Sequence, residues 1–549
     1  MSLFYSSFFL QVFKNPFIRK RSLAILFLVF PIDVSAEQNL SFRVALISTL
    51  SLDERAKAYY KKTNFTPIWT DSTSESAARR AAFLKALSTA NLHALPEGAY
   101  QLTEIFNGLR TSKSYHDLGL LEGLMTKSFL RYAEDIQSGV LKPSEVSSAL
   151  AQEVVYRSVE DYLSGLNSSD PYLYMRSLPP QSQEYNNLLK ARQRLLATMK
   201  QGGWGEFVPE DILKIGDRGP SVIALRNRLV AKGYLLRSVS AVFDNTLLSA
   251  VMKFQLDHGL FADGIVGAAT IAELNTKVQE RLKAITVALE RERWHTSSSL
   301  LNPNLYSRKI IVNLTDFTAK ILDENVVTFH TRSVVGAIKV NQTTPEFSGL
   351  MQYMVINPTW FVPRSITVKE YLPELQIDPN VHNNLTLFMP DDGTTISRDL
   401  IDFTLYDEDN FPYEMKQLPS QNNALGLVKF MFPNKHNIYL HDTPHKTLFY
   451  KEQRTFSHGC IRLQDPFEFA YTLLEKQSPD PVADFQSALR NGKETVVALR
   501  EHIPVHIIYR TAVSSPDGHI GFRRDIYGRD TIIYKALTES GVALIQNQG

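Results

Sequence analysis

"SHGCIR", Ser457–Arg462, holds the only cysteine in the 549 residues. The run after it, "LQDPFEFAYTLLEK" (Leu463–Lys476), predicts a helix. Asp465 suits the N-cap, Pro466 the first helical position, and Glu468 completes a capping box. The run before it, "NIYLH" (Asn437–His441), is short, β-rich and predicts a strand ending at His441. The thiol of Cys460 therefore stands just upstream of a helix, nineteen residues after that histidine.

A lone cysteine in a long chain raises the question of compartment. Lys14, Arg19, Lys20 and Arg21 precede the apolar run "SLAILFLVF" (Ser22–Phe30), and "VSA" (Val34–Ala36) offers small residues for cleavage. Residues 1–36 thus read as an export signal, with an uncleaved membrane anchor as the alternative. Pro31 and Asp33 interrupt the run before the ~20 apolar residues a span requires. No later run is long enough, so any membrane contact is confined to this segment. The body of the protein is expected outside the cytoplasm. There a single cysteine has no intramolecular disulfide partner, which leaves a buried small hydrophobe, an intermolecular link or a reactive thiol.

The chain is 44% hydrophobic and 21% charged, as globular chains are. Its formal charge of +2 offers no electrostatic case for nucleic acid. The length exceeds what one core supports and implies about three domains.

Residues 41–200 read as mostly helical. In "LGLLEGLMTKSFLRYAEDIQSG" (Leu118–Gly139), Leu121, Leu124, Met125, Phe129, Tyr132 and Ile136 fall at near-helical spacing, and Gly139 and Pro143 mark the stop. Residues 212–276 read as a three-helix module. Val222, Leu225 and Leu229 share one face, and Asp244 caps a helix carrying Leu247, Val251 and Phe254. Its runs "GDRGPSVIALRNRLVAKGY" (Gly216–Tyr234) and "FQLDHGLFADGIVGAAT" (Phe254–Thr270) resemble the peptidoglycan-binding domain of cell-wall enzymes. That resemblance implies the wall polymer as partner; a structural module without ligand is the alternative. Residues 277–300 predict a helix that packs back on 41–200, so that the module is an insertion. From Tyr306 the pattern turns to strands ("KIIVNL", "FTAKILD", "SVVGA", "MQYMVI", "LVKFMF", "NIYLH"), with a hairpin candidate around Pro516-Asp517-Gly518. The expected fold class is multidomain α+β: helical scaffold, three-helix module, and a mostly β domain over 306–530, leaving 531–549 as a C-terminal tail.

A thiol near an imidazole, a glycine and an arginine supplies the parts for cysteine acyl transfer. The free thiol, with a pKa of about 8.5, is mostly protonated near neutral pH, and an imidazole can remove its proton. The base needs a third group on its other ring nitrogen to fix its tautomer. Gly459 lets the backbone approach a substrate, and the amides of His458, Gly459 and Cys460 are candidate oxyanion donors. Two alternatives stand beside this one. His441, His445, His458 and Cys460 are all possible zinc ligands, though Pro444 argues against a helix presenting the first two together. Cys460 as an inert buried residue is the other.

"HDTP" (His441–Pro444) followed by "SHGCIRL" (Ser457–Leu463) resembles the signature of L,D-transpeptidases with the YkuD-type catalytic domain. "TTPEFSG", "NPTWFVPRSI", "LPELQIDP", "NALGLVKFMFPN" and "YLHDTP" are similar to the large YcbB-like branch of that family. The resemblance implies a scaffold, an inserted peptidoglycan-binding domain and a catalytic domain with a lid, here about 367–422. It implies Cys460 as nucleophile, His441 as general base and the backbone carbonyl of Asp442 as its orienting group, with the Asp442 carboxylate as competitor. Tyr439, two residues before the base and on its side of the strand, is a candidate oxyanion stabiliser or core residue. His458 is expected to support the loop, and Arg462 to order it or meet a substrate carboxylate. Ser457 is expected to bond within the loop, and Trp360 to wall the cleft or lie in the core. The implied reaction joins peptidoglycan tetrapeptide stems by 3→3 cross-links in the periplasm, without cofactor or metal. Peptidoglycan synthases are implied partners, and carbapenems are expected to acylate the thiol. A stem-trimming L,D-carboxypeptidase or hydrolase, and a non-catalytic wall-binding scaffold, remain open alternatives.

Overall fold

The computed structural model describes residues 34–296, 306–515 and 517–544. Most of the expected export segment lies outside these residues. Among the described residues, no helix is long and apolar enough to cross a membrane.

The N-terminal region is helical because its apolar residues recur with helical period. The helix Tyr115–Ser138 buries Leu121, Met125, Phe129, Tyr132 and Ile136. Its start is fixed by a capping box between Ser114 and Asp117, and its end by Gly139 at φ 100°. Phe129 and Phe83 meet edge to face, with ring centroids 5.7 Å apart, inside one cluster with Trp69 and Tyr132. A buried carboxylate braces this core. Glu122 accepts from the amides of Ile68 (2.6 Å) and Trp69 (3.1 Å) and from the hydroxyl of Tyr60 (2.6 Å). Those donors satisfy a group that would otherwise be costly to bury.

Residues 208–274 enclose a separate core formed by helices Pro220–Ala231, Asn245–Asp257 and Ala268–Asn275. Asp244 caps the second, accepting from the amide of Leu247 at 2.9 Å. The helix Val278–Thr296 then returns to the scaffold, packing against Gln183–Lys200 and Tyr115–Ser138.

The described residues from 306 onward supply fifteen strands. They are β1 (Arg308–Asn313), β2 (Thr318–Asp323), β3 (Val326–Gly336), β4 (Phe347–Ile356), β5 (Trp360–Phe361), β6 (Thr386–Phe388), β7 (Thr395–Ile396) and β8 (Glu414–Gln417), then β9 (Val428–Met431), β10 (Leu440–His441), β11 (Thr455–Ser457), β12 (Ile461–Leu463), β13 (Thr495–Ile508), β14 (Ala512–Ser514) and β15 (Ile520–Phe522). Nine form one sheet in the order β11-β3-β12-β10-β9-β4-β13-β1-β2, and an added β2–β3 pairing curls it on itself. Most neighbours are antiparallel; β1–β13, β10–β12 and β3–β11 are parallel. The helices Pro466–Leu474 and Pro481–Arg490 cover its apolar face. Strands β5–β8 form a second, four-stranded sheet with its own core, built from residues between Trp360 and Met415. Most of it falls within 367–422, the segment expected as a lid, although β5 precedes those bounds.

Three details differ from the sequence reading. The segment expected as a tail begins with a helix, Arg529–Glu539, whose Ile533 and Leu537 are buried against the scaffold side of the molecule. Strands β14 and β15 pair as the expected hairpin, but they form a ribbon outside the large sheet, packed on Gln183–Lys200. The helix after the cysteine starts at Pro466, but Asp465 makes no side-chain cap. Its carboxylate instead accepts from Thr331 Oγ1 on β3 at 2.8 Å, a tertiary bond that displaces the local one.

Candidate active site

Parallel pairing of β10 with β12 sets the site. Leu440 is opposite Ile461, and His441 is opposite Arg462. One step back in the same register, the amide of Ile461 donates to the carbonyl of Tyr439 at 3.1 Å, which puts Tyr439 beside Cys460. Side chains alternate along a strand. Leu440, Ile461 and Leu463 therefore enter the core, where they are fully buried. Tyr439, His441, Cys460 and Arg462 share the other face as a two-by-two patch. The Tyr439 and His441 rings lie 5.7 Å apart.

His441 is buried, and its Nδ1 lies 2.5 Å from the carbonyl oxygen of Asp442. A carbonyl only accepts, so Nδ1 carries the proton and Nε2 is left as the basic nitrogen. The Asp442 carboxylate is turned elsewhere. It accepts from the amide of Leu427 at 2.9 Å and from Lys446 Nζ at 2.7 Å. Gly426 makes room for it, since a Cβ there would stand 2.3 Å from the carboxylate. Burial, together with the Arg462 guanidinium, lowers the His441 pKa to about 3 and keeps the ring neutral.

Cys460 is half-buried. Burial pushes its thiol up to about 11, against the opposing pull of Tyr439 and Arg462. The sulfur is directed at the carbonyl of Asn437, 3.7 Å away. Tyr439 is held protonated by burial and by the neighbouring sulfur. Burial lowers the Arg462 pKa. Among the described residues Arg462 has no carboxylate partner, and its Nε is buried without a hydrogen bond.

The loop before Cys460 is tied from several directions. Ser457 Oγ donates to the carbonyl of Cys460 at 2.5 Å and accepts from the amide of Gly459 at 3.2 Å. Gly459 has φ 111°, a conformation that favours glycine, and its carbonyl accepts from Thr344 Oγ1 at 2.7 Å. The Gly459 amide, expected as an oxyanion donor, is thus engaged inside the loop. The amides of His458 and Cys460 have no acceptor among the described residues. His458 points away from the thiol: its Nε2 meets Glu370 Oε1 at 2.9 Å and Oε2 at 3.0 Å. Trp360 pairs with Gln417 across β5 and β8 and packs on the core of the four-stranded sheet. His445 is exposed beyond the strand. Among the described residues, no group of three His, Cys, Asp or Glu side chains is placed to hold a metal ion.

Sequence reasoning passed over Thr344, Glu370 and Lys446. Thr344 lies inside the quoted "TTPEFSG", but nothing local reveals that its hydroxyl braces Gly459. Glu346, two residues on, meets Arg291 Nη2 at 3.2 Å and Arg529 Nη1 at 3.2 Å, and Arg529 Nη2 donates to the Thr344 carbonyl at 2.6 Å. Buried charges so connect the scaffold helix to the segment that holds the cysteine loop.

Comparison with known proteins places these units by family. Residues 307–483 match YkuD, the L,D-transpeptidase catalytic domain. Residues 54–191 match a scaffold domain, and residues 218–274 a "Putative peptidoglycan binding domain". A Haemophilus influenzae protein named "Putative L,D-transpeptidase" is 27% identical over 299 residues, which is 54% of this chain and 58% of that one. A crystal structure of an L,D-transpeptidase from Xylanimonas cellulosilytica is 13% identical, spanning 55% of this chain and 100% of the other, with a TM-score of 0.17. Another, from Stackebrandtia nassauensis, is 14% identical over 55% of this chain and 97% of that one, with a TM-score of 0.20. The chain carries a YkuD-type L,D-transpeptidase catalytic domain together with a peptidoglycan-binding domain.

Proposed function

We propose that this chain is an exported L,D-transpeptidase that forms 3→3 cross-links between peptidoglycan tetrapeptide stems through an acyl-enzyme on Cys460. The observation that carries the reading is the shared face of Tyr439, His441, Cys460 and Arg462, with the Nδ1 proton of His441 fixed on the Asp442 carbonyl. Such a constellation suits acyl transfer.

In the first half-reaction the Sγ proton passes to Nε2 of His441 as sulfur attacks the stem carbonyl. The carbonyl π electrons move to oxygen, and the Cys460 amide and Tyr439 hydroxyl receive the oxyanion. His458 supplies a second free amide. Arg462, an unpaired cation beside the sulfur, receives the carboxylate of the departing D-alanine. Collapse of the adduct breaks the amide bond, and the imidazolium returns the proton to the leaving amine. In the second half-reaction a side-chain amine of another stem attacks the thioester and gives its proton to His441. Sulfur leaves and is reprotonated. The bond energy of the first amide drives the second, so no nucleotide is required. The four-stranded lid reaches the catalytic loop through Glu370 and His458, and closure there excludes water in favour of the amine.

The substrate implies an extracytoplasmic site of action. Purified tetrapeptide muropeptides, incubated with wild type and with Cys460→Ala, test the reading. Dimers linked between diamino residues are expected from the wild type alone. Products from both proteins, or trimmed monomers without dimers, overturn it.

A further inference from the structure

Thr344 is fully buried, and its hydroxyl is used in both directions. It accepts from the amide of Gly336 at 2.9 Å and donates to the carbonyl of Gly459 at 2.7 Å. The direction is forced, since an amide only donates and a carbonyl only accepts. Gly336 has no room for a side chain. A Cβ there would stand 2.1 Å from the Gln342 carbonyl oxygen and 2.6 Å from the Thr344 amide. One hydroxyl thus joins the end of β3 to the cysteine loop.

The group it holds bears on the chemistry. The Gly459 carbonyl and the Cys460 amide belong to one peptide unit, and in a trans peptide they point to opposite sides of the chain. Fixing the carbonyl therefore fixes the direction of the Cys460 N–H. Gly459, at φ 111°, does little to fix that plane by itself, because glycine permits rotations that a side chain forbids. Ser457 Oγ holds the groups on either side, the Gly459 amide at 3.2 Å and the Cys460 carbonyl at 2.5 Å. The Cys460 amide between them has no acceptor among the described residues.

Thr344 is itself anchored from outside residues 307–483, the extent of the matched catalytic domain. Arg529 Nη2 donates to its carbonyl at 2.6 Å. Two residues on, the Glu346 amide donates to the Ala149 carbonyl at 2.8 Å. The Glu346 carboxylate meets Arg291 and Arg529, each at 3.2 Å. Thr344, Glu346, Arg291 and Arg529 are all buried, so water competes little for these bonds.

We propose that Thr344 is a positioning residue for acyl transfer: through the Gly459 carbonyl, its hydroxyl aims the Cys460 amide at the oxygen of the attacked carbonyl. As sulfur adds and the π electrons move to that oxygen, the donor already stands in place. The scaffold helix and the C-terminal helix reach the oxyanion donor through this chain of contacts. The proposal rests on the acyl-enzyme reading given above.

Two reactions of the same sulfur separate aiming from structure. Acylation builds an oxyanion; alkylation by iodoacetamide displaces iodide and builds none. Full-length wild type, Thr344→Val and Thr344→Ser are compared in single-turnover acylation by disaccharide-tetrapeptide muropeptide, followed by intact mass. At saturating donor the valine variant is expected to acylate about 10- to 100-fold more slowly. Its half-saturating donor concentration and its alkylation rate are expected within about twofold of wild type. Thr344→Ser keeps the hydroxyl and is expected to recover acylation to within about threefold of wild type. Thr344→Ala takes the place of the valine variant if that protein does not fold, with the same expectation. Wild-type acylation in the variant without a hydroxyl overturns the proposal. So does an equal fall in acylation and alkylation, or a serine variant as slow as the valine one. Failure of the peptidoglycan reading is separable. If wild type ignores the muropeptide, the comparison is run with p-nitrophenyl acetate, whose acyl transfer to Cys460 needs the same oxyanion donor. Wild type that cross-links stems while Thr344→Val acylates normally removes this proposal alone.

Discussion

His458 Nε2 stands 2.9 Å from Glu370 Oε1, joining the loop that carries the cysteine to the helical turn Thr367–Tyr371, in the segment proposed as a lid. Both side chains are about two-fifths exposed, so the pair is worth only about 0.2–1 kcal/mol. A latch of that strength opens readily. Glu370→Gln is expected to raise the ratio of trimmed stems to cross-linked dimers by up to about fivefold. Hydrogen exchange over 364–377 should quicken in step. An unchanged product ratio would show that this contact does not govern the choice between water and amine.

The protonation states at rest predict an unusual pH dependence. Burial lowers His441 to about 3, so the base remains free as pH falls through 6.5. The same burial raises Cys460 to about 11, so thiolate accumulates only in strong alkali. Alkylation of Cys460 by iodoacetamide should therefore climb steadily from pH 6 to 10, with no plateau at the free-thiol value of about 8.5. Acylation by substrate should show no acidic limb near 6.5. A plateau in alkylation below pH 7 would mean a preformed thiolate–imidazolium pair instead.

Among the described residues Arg462 pairs with no carboxylate, and its proposed role is to receive the carboxylate of a stem. Replacing it with Gln should remove about 1.5–3 kcal/mol of charged hydrogen bonding, a roughly 10- to 100-fold loss in kcat/KM. The loss should be smaller for a donor stem ending in an amide, which has no carboxylate to misplace. Equal losses on both donors would assign Arg462 to ordering the loop.

Glu346 neutralises Arg291 and Arg529 between scaffold and catalytic sheet. Glu346→Ala leaves both guanidinium groups short of a counter-charge, although Arg291 retains Asp530. The expected cost is about 3–5 kcal/mol in urea unfolding of the catalytic unit. A shift under about 0.5 kcal/mol would mean that the pair is replaceable by water.

The sequence made some of this legible and hid the rest for definable reasons. Helical periodicity around Phe129 and the capping role of Asp244 are local signals, and both appear in the fold. Cys460 and His441 stood out because "HDTP" and "SHGCIRL" resemble a family signature; their chemistry alone left an inert cysteine and a zinc site open. The engagement of the Gly459 amide by Ser457 could not be read, because a loop's donor directions depend on how it is folded. The Asp465 cap failed for a related cause: a local hydrogen bond lost to Thr331, 134 residues away in sequence. The Glu370 contact and the buried Glu346 junction join segments distant in the chain, which no periodicity can pair. The helix Arg529–Glu539 was passed over as a tail although Ile533 and Leu537 are spaced one turn apart.

Intact-protein mass spectrometry during turnover measures the central claim most directly. Wild-type protein mixed with a tetrapeptide donor and no acceptor should gain the mass of the stem less its terminal D-alanine, with the adduct mapped to Cys460. His441→Gln should acylate at least a hundredfold more slowly, about 2.7 kcal/mol of lost proton transfer. An unmodified Cys460 in wild type, or equal acylation without the imidazole, contradicts the account.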